Sequence, residues 1–272
     1  MKQHKLPCVL TIAGTDPSGG AGIQADIKAI SATGCYAASV ITTLVAQNTQ
    51  GVISIYDIPE TFVQQQLDAV FNDLTIQAVK IGMLHDARMI RVVGSTLEQL
   101  CPPNIVIDPV MVAKDGSALF CLETISLLKM RLFRQACLIT PNLFEAEKIL
   151  DRNLANTDDM ADAACEIGRE FQTNVLLKGG HLKSDEASDV LFSLKDQCCY
   201  WFHSKRIKTN HTHGTGCSLS SAIASYLGQG LALYDAVAKA KTYITKAIES
   251  GKQYALGQGN GPVDHFYFLR SS

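Results

Sequence analysis

The sequence predicts an α/β fold, in which helices cover both faces of a central and mostly parallel β-sheet. Short apolar runs typical of strands alternate with amphipathic runs of helical period along most of the 272 residues. Glycine- and proline-rich turns separate these runs, as they do in βαβ units. Two further short runs near 188–203 predict a small hairpin. No linker or repeat interrupts this order, so we expect one domain over residues 1–272.

Composition excludes several classes of function. The formal net charge is −2 and 47% of the residues are hydrophobic, which predicts a globular protein that binds neither nucleic acid nor a membrane surface. The apolar run at Cys8–Ala13 is short and leads into a glycine-rich loop, so we interpret it as the first strand rather than a signal peptide. Nine scattered cysteines without a CxxC pair predict reduced thiols in a cytoplasmic protein.

The remaining elements follow from the same patterns. We predict strands at Tyr36–Val45, Gly51–Asp57, Ala78–Met83, Ile105–Met111, Leu138–Pro141 and Asn174–Lys178, and helices at Pro59–Leu74, Asp86–Leu100, Glu123–Phe133, Thr157–Phe171 and Tyr234–Tyr254. Because the C-terminal ends of parallel strands share one edge of a sheet, polar residues at those ends are expected to meet there.

Two glycine-rich turns come directly before helices. The first, Gly14–Gly22, is neither a GxGxxG nor a Walker A sequence, so it does not predict a dinucleotide or P-loop site. The second, Gly214–Cys217, precedes an amphipathic helix that ends near Gly230. Free backbone N–H groups at such a helix start favour an anion, although a plain flexible turn is the simpler interpretation. His211 and His213, just before it, lack zinc-site spacing and are interpreted as loop histidines.

Polar residues at other strand ends have two interpretations each. Gln47 is either a strand-end cap or a ligand contact, and Asp108 either caps a turn or faces the ligand crevice. Lys178 either meets a phosphate or is a solvated strand end. Asn142 and Glu145 either face one ligand together or form a capping box at a helix start.

Together these residues favour phosphoryl transfer. That reaction needs an anion-binding backbone, a cation and bound metal more than covalent help from the protein. Mg²⁺ prefers oxygen ligands and keeps several waters, which suits Asp108 and Glu145 acting partly through water.

The chain resembles the hydroxymethylpyrimidine/phosphomethylpyrimidine kinases of thiamine biosynthesis, which have a ribokinase-like fold. The segments that carry the resemblance are TIAGTDPSGGAGIQADIKAISATG, VITTLVAQNTQGV, KIGML, VIDPVMVAK, LITPNLFEAE, LLKGGH, TNHTHGTGCSLSSAIA and GQGNGPVDHF. A departure from the family lies at Lys114–Ala118, where Lys-Ser-Gly is more common.

The resemblance implies an ATP-dependent kinase that acts first on a hydroxymethylpyrimidine and then on its monophosphate, with Mg²⁺ and as a homodimer. It also implies roles for individual residues. The pyrimidine would contact Gln47, Gly14, Asp26, Val45 and Met83; ATP would contact Lys178 and Asn142; the metal and its waters would be held by Asp108 and Glu145; and the phosphoryl group would lie against Gly214, Thr215, Gly216 and Cys217.

Cys217 has the least settled chemistry of this set. The helix dipole is expected to lower the pKa of its thiol, although a bound anion would oppose that shift. We expect the thiol to accept the substrate hydroxyl proton, and Cys217→Ala to lower turnover near the lower end of about 10²–10⁴-fold.

Three other functions remain open at this point. They are a pyridoxal or pyridoxine kinase, a non-catalytic pyrimidine-binding regulator, and a sugar kinase, which the segments around Gln47 and Met83 fit poorly. A regulator would have no need of phosphate-binding residues.

Overall fold

The computed structural model describes residues 5–111, 122–154, 157–180 and 185–270. The loop Lys114–Ala118 lies outside the described residues. The strands are β1 (Cys8–Ala13), β2 (Tyr36–Ile41), β3 (Thr43–Asn48), β4 (Gly51–Asp57), β5 (Ile76–Ile81), β6 (Ile105–Ile107), β7 (Leu138–Ile139), β8 (Asn174–Lys178), β9 (Asp189–Ser193) and β10 (Cys198–Phe202). The helices are α1 (Gly22–Ala32), α2 (Glu60–Asp73), α3 (Ala87–Leu100), α4 (Leu122–Arg131), α5 (Leu143–Leu150), α6 (Thr157–Phe171), α7 (Thr215–Gly228) and α8 (Leu233–Gly251).

Eight strands form the central sheet, in the order β10-β9-β8-β7-β6-β5-β1-β2. The strands from β8 to β2 pair in parallel, and β9 and β10 add an antiparallel hairpin at one edge. The predicted fold class and the hairpin near 188–203 are therefore confirmed.

Adjacent residues of the inner strands face opposite sides of the sheet, and both sides are apolar. Leu10 of β1 joins a core cluster with helices α2 to α6, whereas its neighbour Val9 joins a second cluster with α1, α7 and α8. This explains why the strands read as continuous apolar runs rather than as alternating ones. Among the described residues, no helix is long and apolar enough to cross a membrane.

The run predicted as one strand at Tyr36–Val45 is divided in two. The Thr42 N–H still donates to the carbonyl of Ala13 at the end of β1, at 3.0 Å. Beyond it the chain bonds to the loop after β1, since the Thr15 N–H donates to the carbonyl of Thr43. β3 therefore leaves the sheet and pairs with β4 in a separate two-stranded sheet.

The turn between β3 and β4 is tied to the C-terminal segment. The carbonyl of Thr49 accepts from the Asn260 N–H at 3.0 Å, and its hydroxyl accepts from the Gly259 N–H at 3.1 Å. The same C-terminal segment reaches the start of α7, where His265 and the Ser218 hydroxyl lie 2.8 Å apart. This segment therefore links the small sheet to the glycine-rich helix start.

Candidate active site

The predicted site residues converge where the parallel strands end and α7 begins. Gly214 has φ +76°, and a side chain there would collide with the carbonyl of Gly20 in the first glycine-rich loop. Glycine is required at this close contact. The two glycine-rich turns of the sequence therefore form one surface.

The start of α7 lies against an ion pair that is largely shielded from water. The Lys178 ammonium donates to the Asp108 carboxylate at 2.7 Å. A Cβ atom on Gly216 would lie 3.4 Å from the Lys178 Nζ and 3.5 Å from the Asp108 Oδ2. The first N–H groups of the helix, of which that of Thr215 donates to the carbonyl of Thr212, thus lie with a cation and a carboxylate within one small volume.

Asp108 is charged in this setting. Burial alone would raise the pKa of its carboxyl group, but the ammonium groups of Lys178 and Lys80 hold that pKa below its ordinary value. Thr140 donates to the same carboxylate at 3.2 Å. Asp108 thus lies buried at the end of β6, and its contact with a ligand stays a prediction.

Asn142 and Glu145 form the capping box that was the alternative interpretation. The Asn142 side chain accepts from the Glu145 N–H at 2.9 Å, and the Glu145 carboxylate accepts from the Asn142 N–H at 2.8 Å. Burial nevertheless raises the pKa of Glu145 to about 7, and the nearby Asp108 carboxylate adds to that rise. Glu145 is thus both a helix cap and a carboxyl group of this site.

The thiol of Cys217 differs from the sequence expectation. Burial raises the pKa of Cys217 to about 11, and the Lys80 ammonium only partly offsets that effect. The expected lowering of the thiol pKa is wrong for this structure, in which the Asp26 and Asp108 carboxylates add to the rise that burial causes. The thiol is therefore protonated at neutral pH.

Asp26 lies beneath the site rather than on its surface. Its carboxylate is fully buried and accepts from Lys80 at 2.7 and 2.8 Å, from the Thr11 hydroxyl at 2.6 Å and from the Ser221 hydroxyl at 2.8 Å. These donors already occupy the oxygens that a pyrimidine ring would have to reach. The geometry makes Asp26 a support for α7 and β5 rather than a wall of the pocket.

The other predicted pocket residues lie at the junction of β3 with the first glycine-rich loop. A Cβ atom on Gly14 would lie 2.6 Å from the Met83 Cε, so these two residues touch. Val45 is buried, and its N–H donates to the Thr15 hydroxyl at 2.9 Å. Val45 and Gln47 alternate with the exposed Ala46 along β3, so they face the same way.

The sequence analysis missed Asp16 and Lys80, and it interpreted His213 only as a loop histidine. The Asp16 carboxylate lies 2.8 Å from the His213 Nε2 and accepts from backbone N–H groups of its own loop. Burial alone would raise the pKa of Asp16, but bonds from His213, Ser18 and Gln47 hold it well below its ordinary value. For Lys80 the signal was a lysine within an apolar strand, which needs a buried partner.

A metal site made only of protein ligands is not present in the described ranges. They contain no group of three or more histidine, cysteine, aspartate and glutamate side chains able to hold an ion. That Asp108 and Glu145 hold Mg²⁺ partly through water stays a prediction.

Comparison with known proteins identifies the family. Residues 16–264 match the family model described as phosphomethylpyrimidine kinase. The chain belongs to this family. The hydroxymethylpyrimidine/phosphomethylpyrimidine kinase of Escherichia coli is 45% identical over 262 residues, which cover 95% of this chain and 97% of that protein. A bifunctional thiamine biosynthesis protein of Geobacter sulfurreducens is 48% identical, and a probable one of rice is 43% identical. The chain spans about half the length of these two relatives, 52% and 49% respectively.

Solved structures of phosphomethylpyrimidine and pyridoxal kinases share the fold. The phosphomethylpyrimidine kinase of Clostridium difficile is 41% identical, with a TM-score of 0.79 over 89% of this chain and 99% of that one. The pyridoxal kinase of Bacillus subtilis in complex with ADP is 34% identical, with a TM-score of 0.91 over 98% of this chain and 100% of that one. The ribokinase-like architecture implied by the resemblance is confirmed.

Proposed function

We propose that this member of the phosphomethylpyrimidine kinase family uses ATP to phosphorylate 4-amino-5-hydroxymethyl-2-methylpyrimidine and then its monophosphate, in thiamine diphosphate biosynthesis. The observation that carries the proposal is the Lys178–Asp108 ion pair set against Gly216 at the start of α7. That arrangement provides a cation and backbone N–H groups for phosphate oxygens, and a carboxylate for a metal. A pyrimidine-binding regulator would need none of them.

In this mechanism the protein positions and neutralises charge. The backbone N–H groups of Gly214–Cys217 would receive the oxygens of the transferred phosphoryl group, and Lys178 would exchange part of its contact with Asp108 for nucleotide phosphates. A loose transition state asks little of a base, which is consistent with a protonated Cys217 thiol. Asn142 caps α5 through its side-chain oxygen, and its side-chain amide nitrogen would contact the nucleotide.

Asp108 and Glu145 would hold Mg²⁺ through their oxygens and through water. Their chemistry fits the ion, because both are buried carboxyl groups, and the pKa of Glu145, which burial raises and the Asp108 carboxylate raises further, would be lowered by a bound cation. When bound, the ion would neutralise charge on the phosphate oxygens.

The ring would lie between Gly14, Met83, Val45 and Gln47. The Gln47 amide has both a donor and an acceptor, which a ring nitrogen and an exocyclic amine require together. Asp16 would orient the Gln47 amide by accepting a hydrogen bond from it.

A pyridoxal kinase is the second candidate, because the pyridoxal kinases of Bacillus subtilis and of Staphylococcus aureus have TM-scores of 0.91 and 0.90 to this chain. The test is phosphorylation of the hydroxymethylpyrimidine and of pyridoxal, measured side by side with Mg-ATP. We expect the larger kcat/KM for the pyrimidine. A larger kcat/KM for pyridoxal would overturn the proposal.

We also propose a homodimer that works in the cytoplasm as one domain spanning residues 1–272. The small sheet of β3 and β4 exposes large apolar side chains, among them those of Leu44, Ile53 and Tyr56. Such a patch on a two-stranded sheet supports self-association. Light scattering should give twice the mass of the chain for the wild type and less for Ile53→Asp.

The cysteines support the proposed cytoplasmic location. The eight cysteines of the described ranges are all free thiols, which suits a reducing compartment.

A further inference from the structure

The strand that ends at Lys178 is held in place by a second ion pair. Lys178 lies directly opposite Asp189 in the antiparallel pairing of β8 with β9. The side chain of Asp189 does not reach Lys178. Instead one of its oxygens accepts from the N–H of Gly179, the next residue, at 3.0 Å.

The other oxygen of Asp189 is fixed by α8. The Lys241 ammonium donates to it at 2.6 Å and to the carbonyl of Ala187 at 2.9 Å. Asp189 is 4% exposed, so this contact is largely shielded from water. An unpaired charge at either position would be costly to bury, which makes the pair act as one unit.

Neighbouring contacts leave this turn little freedom. A side chain on Gly179 would collide with the carbonyl of Ser188, and the Lys178 N–H donates to the carbonyl of Pro141 at 2.9 Å. The Arg206 side chain donates to the carbonyl of Gly180 at 2.6 Å. The backbone on both sides of Lys178 is therefore fixed, while its ammonium extends to Asp108.

We infer that Asp189, anchored by Lys241, is a positioning residue that holds Lys178 at the phosphate end of the site. This inference rests on the proposed function, in which Lys178 meets the nucleotide phosphates. Without the charge of the carboxylate, the Gly179 N–H loses a charge-assisted bond and the ion pair with Lys241 is broken, so the backbone that carries the Lys178 ammonium is held less firmly. Binding of ATP should suffer, whereas the ring pocket at β3 should not.

The experiment compares Asp189→Asn, Lys241→Met and the double variant, which removes both charges together. Calorimetric titration with Mg-ATP should show a Kd raised roughly tenfold in each, the size expected from loss of a charge-assisted bond. Binding of the pyrimidine should stay within about twofold of wild type. Lys241→Arg keeps the cation, so its affinity for Mg-ATP should stay close to that of wild type. Asp196→Asn, in the turn at the far end of the same hairpin, is the matched control.

A double-mutant cycle with Lys178→Met separates positioning from a general structural role. If Asp189 acts through Lys178, Asp189→Asn should weaken ATP binding no further in the Lys178→Met background. Additive losses, or unchanged ATP binding in the folded variants, would overturn the inference. Should Asp189→Asn fail to fold, Lys241→Met and the charge-neutral double variant decide the matter. If wild type binds ATP but phosphorylates no pyrimidine, the proposed function fails while this readout stands.

Discussion

The ammonium of Lys80 and the carboxylate of Asp26 form an ion pair of 2.7 Å in which neither side chain has any exposed surface. Burial alone would lower the pKa of Lys80, but Asp26 raises it above its ordinary value. The pair joins β5 to α1, and the Ser221 hydroxyl ties it to α7. A charged support therefore lies under the start of the anion-binding helix.

Removing one member of this pair should strongly destabilise the folded protein. Lys80→Met leaves the Asp26 carboxylate buried without its cation, which should lower the free energy of unfolding by about 3–5 kcal/mol. Urea denaturation of the two proteins measures the difference. The control is Arg88→Met, which breaks an ion pair at the surface and should leave stability almost unchanged. Equal stabilities of Lys80→Met and wild type would contradict the prediction.

Gln47→Leu should weaken binding of the pyrimidine by about 1–3 kcal/mol, because ring atoms and the Asp16 carboxylate would lose a polar partner. ATP binding should be unchanged. Calorimetric titration with each ligand separates the two effects. Gln50→Leu makes the same change in the exposed turn after β3 and serves as the control. Wild-type affinity for the ring would remove Gln47 from the site.

The magnesium requirement should depend on pH through Glu145. With a pKa of about 7, this carboxyl group gains charge as the pH rises from about 6 to about 8, so the Mg²⁺ concentration for half-maximal rate should fall over that interval. Glu145→Gln should raise the requirement and flatten this dependence. Glu147→Gln, on the same helix, should keep the wild-type profile. A wild-type profile for Glu145→Gln would leave Glu145 as a helix cap alone.

The same raised pKa has a consequence for stability. Between its unfolded value and about 7, Glu145 binds more proton in the native than in the unfolded state, so its contribution to stability falls as the pH rises. The contribution is fully present below the unfolded pKa and is lost above about pH 7. Unfolding experiments at pH 5 and pH 8 on wild type and Glu145→Gln measure the difference.

For Cys217, the pKa of about 11 predicts a smaller effect than the sequence suggested. A thiolate base would make the rate of single-turnover phosphorylation rise about tenfold per pH unit towards that pKa. We expect no such rise between about pH 7 and 9, and a loss below about tenfold in Cys217→Ala, which keeps its backbone donor. Cys137→Ala, at a thiol remote from the site, controls for folding. A loss above about 10²-fold would restore the thiol as a base.

The sequence predicted the fold well because apolar runs and their spacing are local properties. The division between β2 and β3 was missed since Thr42 and Thr43 favour strands on either side of the break. The bonds of Thr15 to Thr43 and Val45, made by a loop far along the chain, hold β3 where it leaves the sheet.

The site was predicted in outline for a similar reason. The C-terminal ends of parallel strands share one edge of the sheet with the starts of the helices, so Asp108, Lys178 and Gly216 could be placed together from the sequence. The position of Asp26 depends on how α1 is rotated against the sheet, and the pKa of Cys217 depends on how much water the folded chain removes. Neither the rotation of α1 nor the burial of the thiol can be deduced from the spacing of residues along the chain.

The bonds of Thr49 to Gly259 and Asn260 connect positions about 210 residues apart in the chain. They tie the β3–β4 turn to the segment that runs on to His265 beneath α7. An outward swing of β3, which would uncover the ring pocket, must break these bonds or draw the C-terminal segment with it. The two segments should therefore open together, and this joint motion should limit how fast a product leaves the ring pocket.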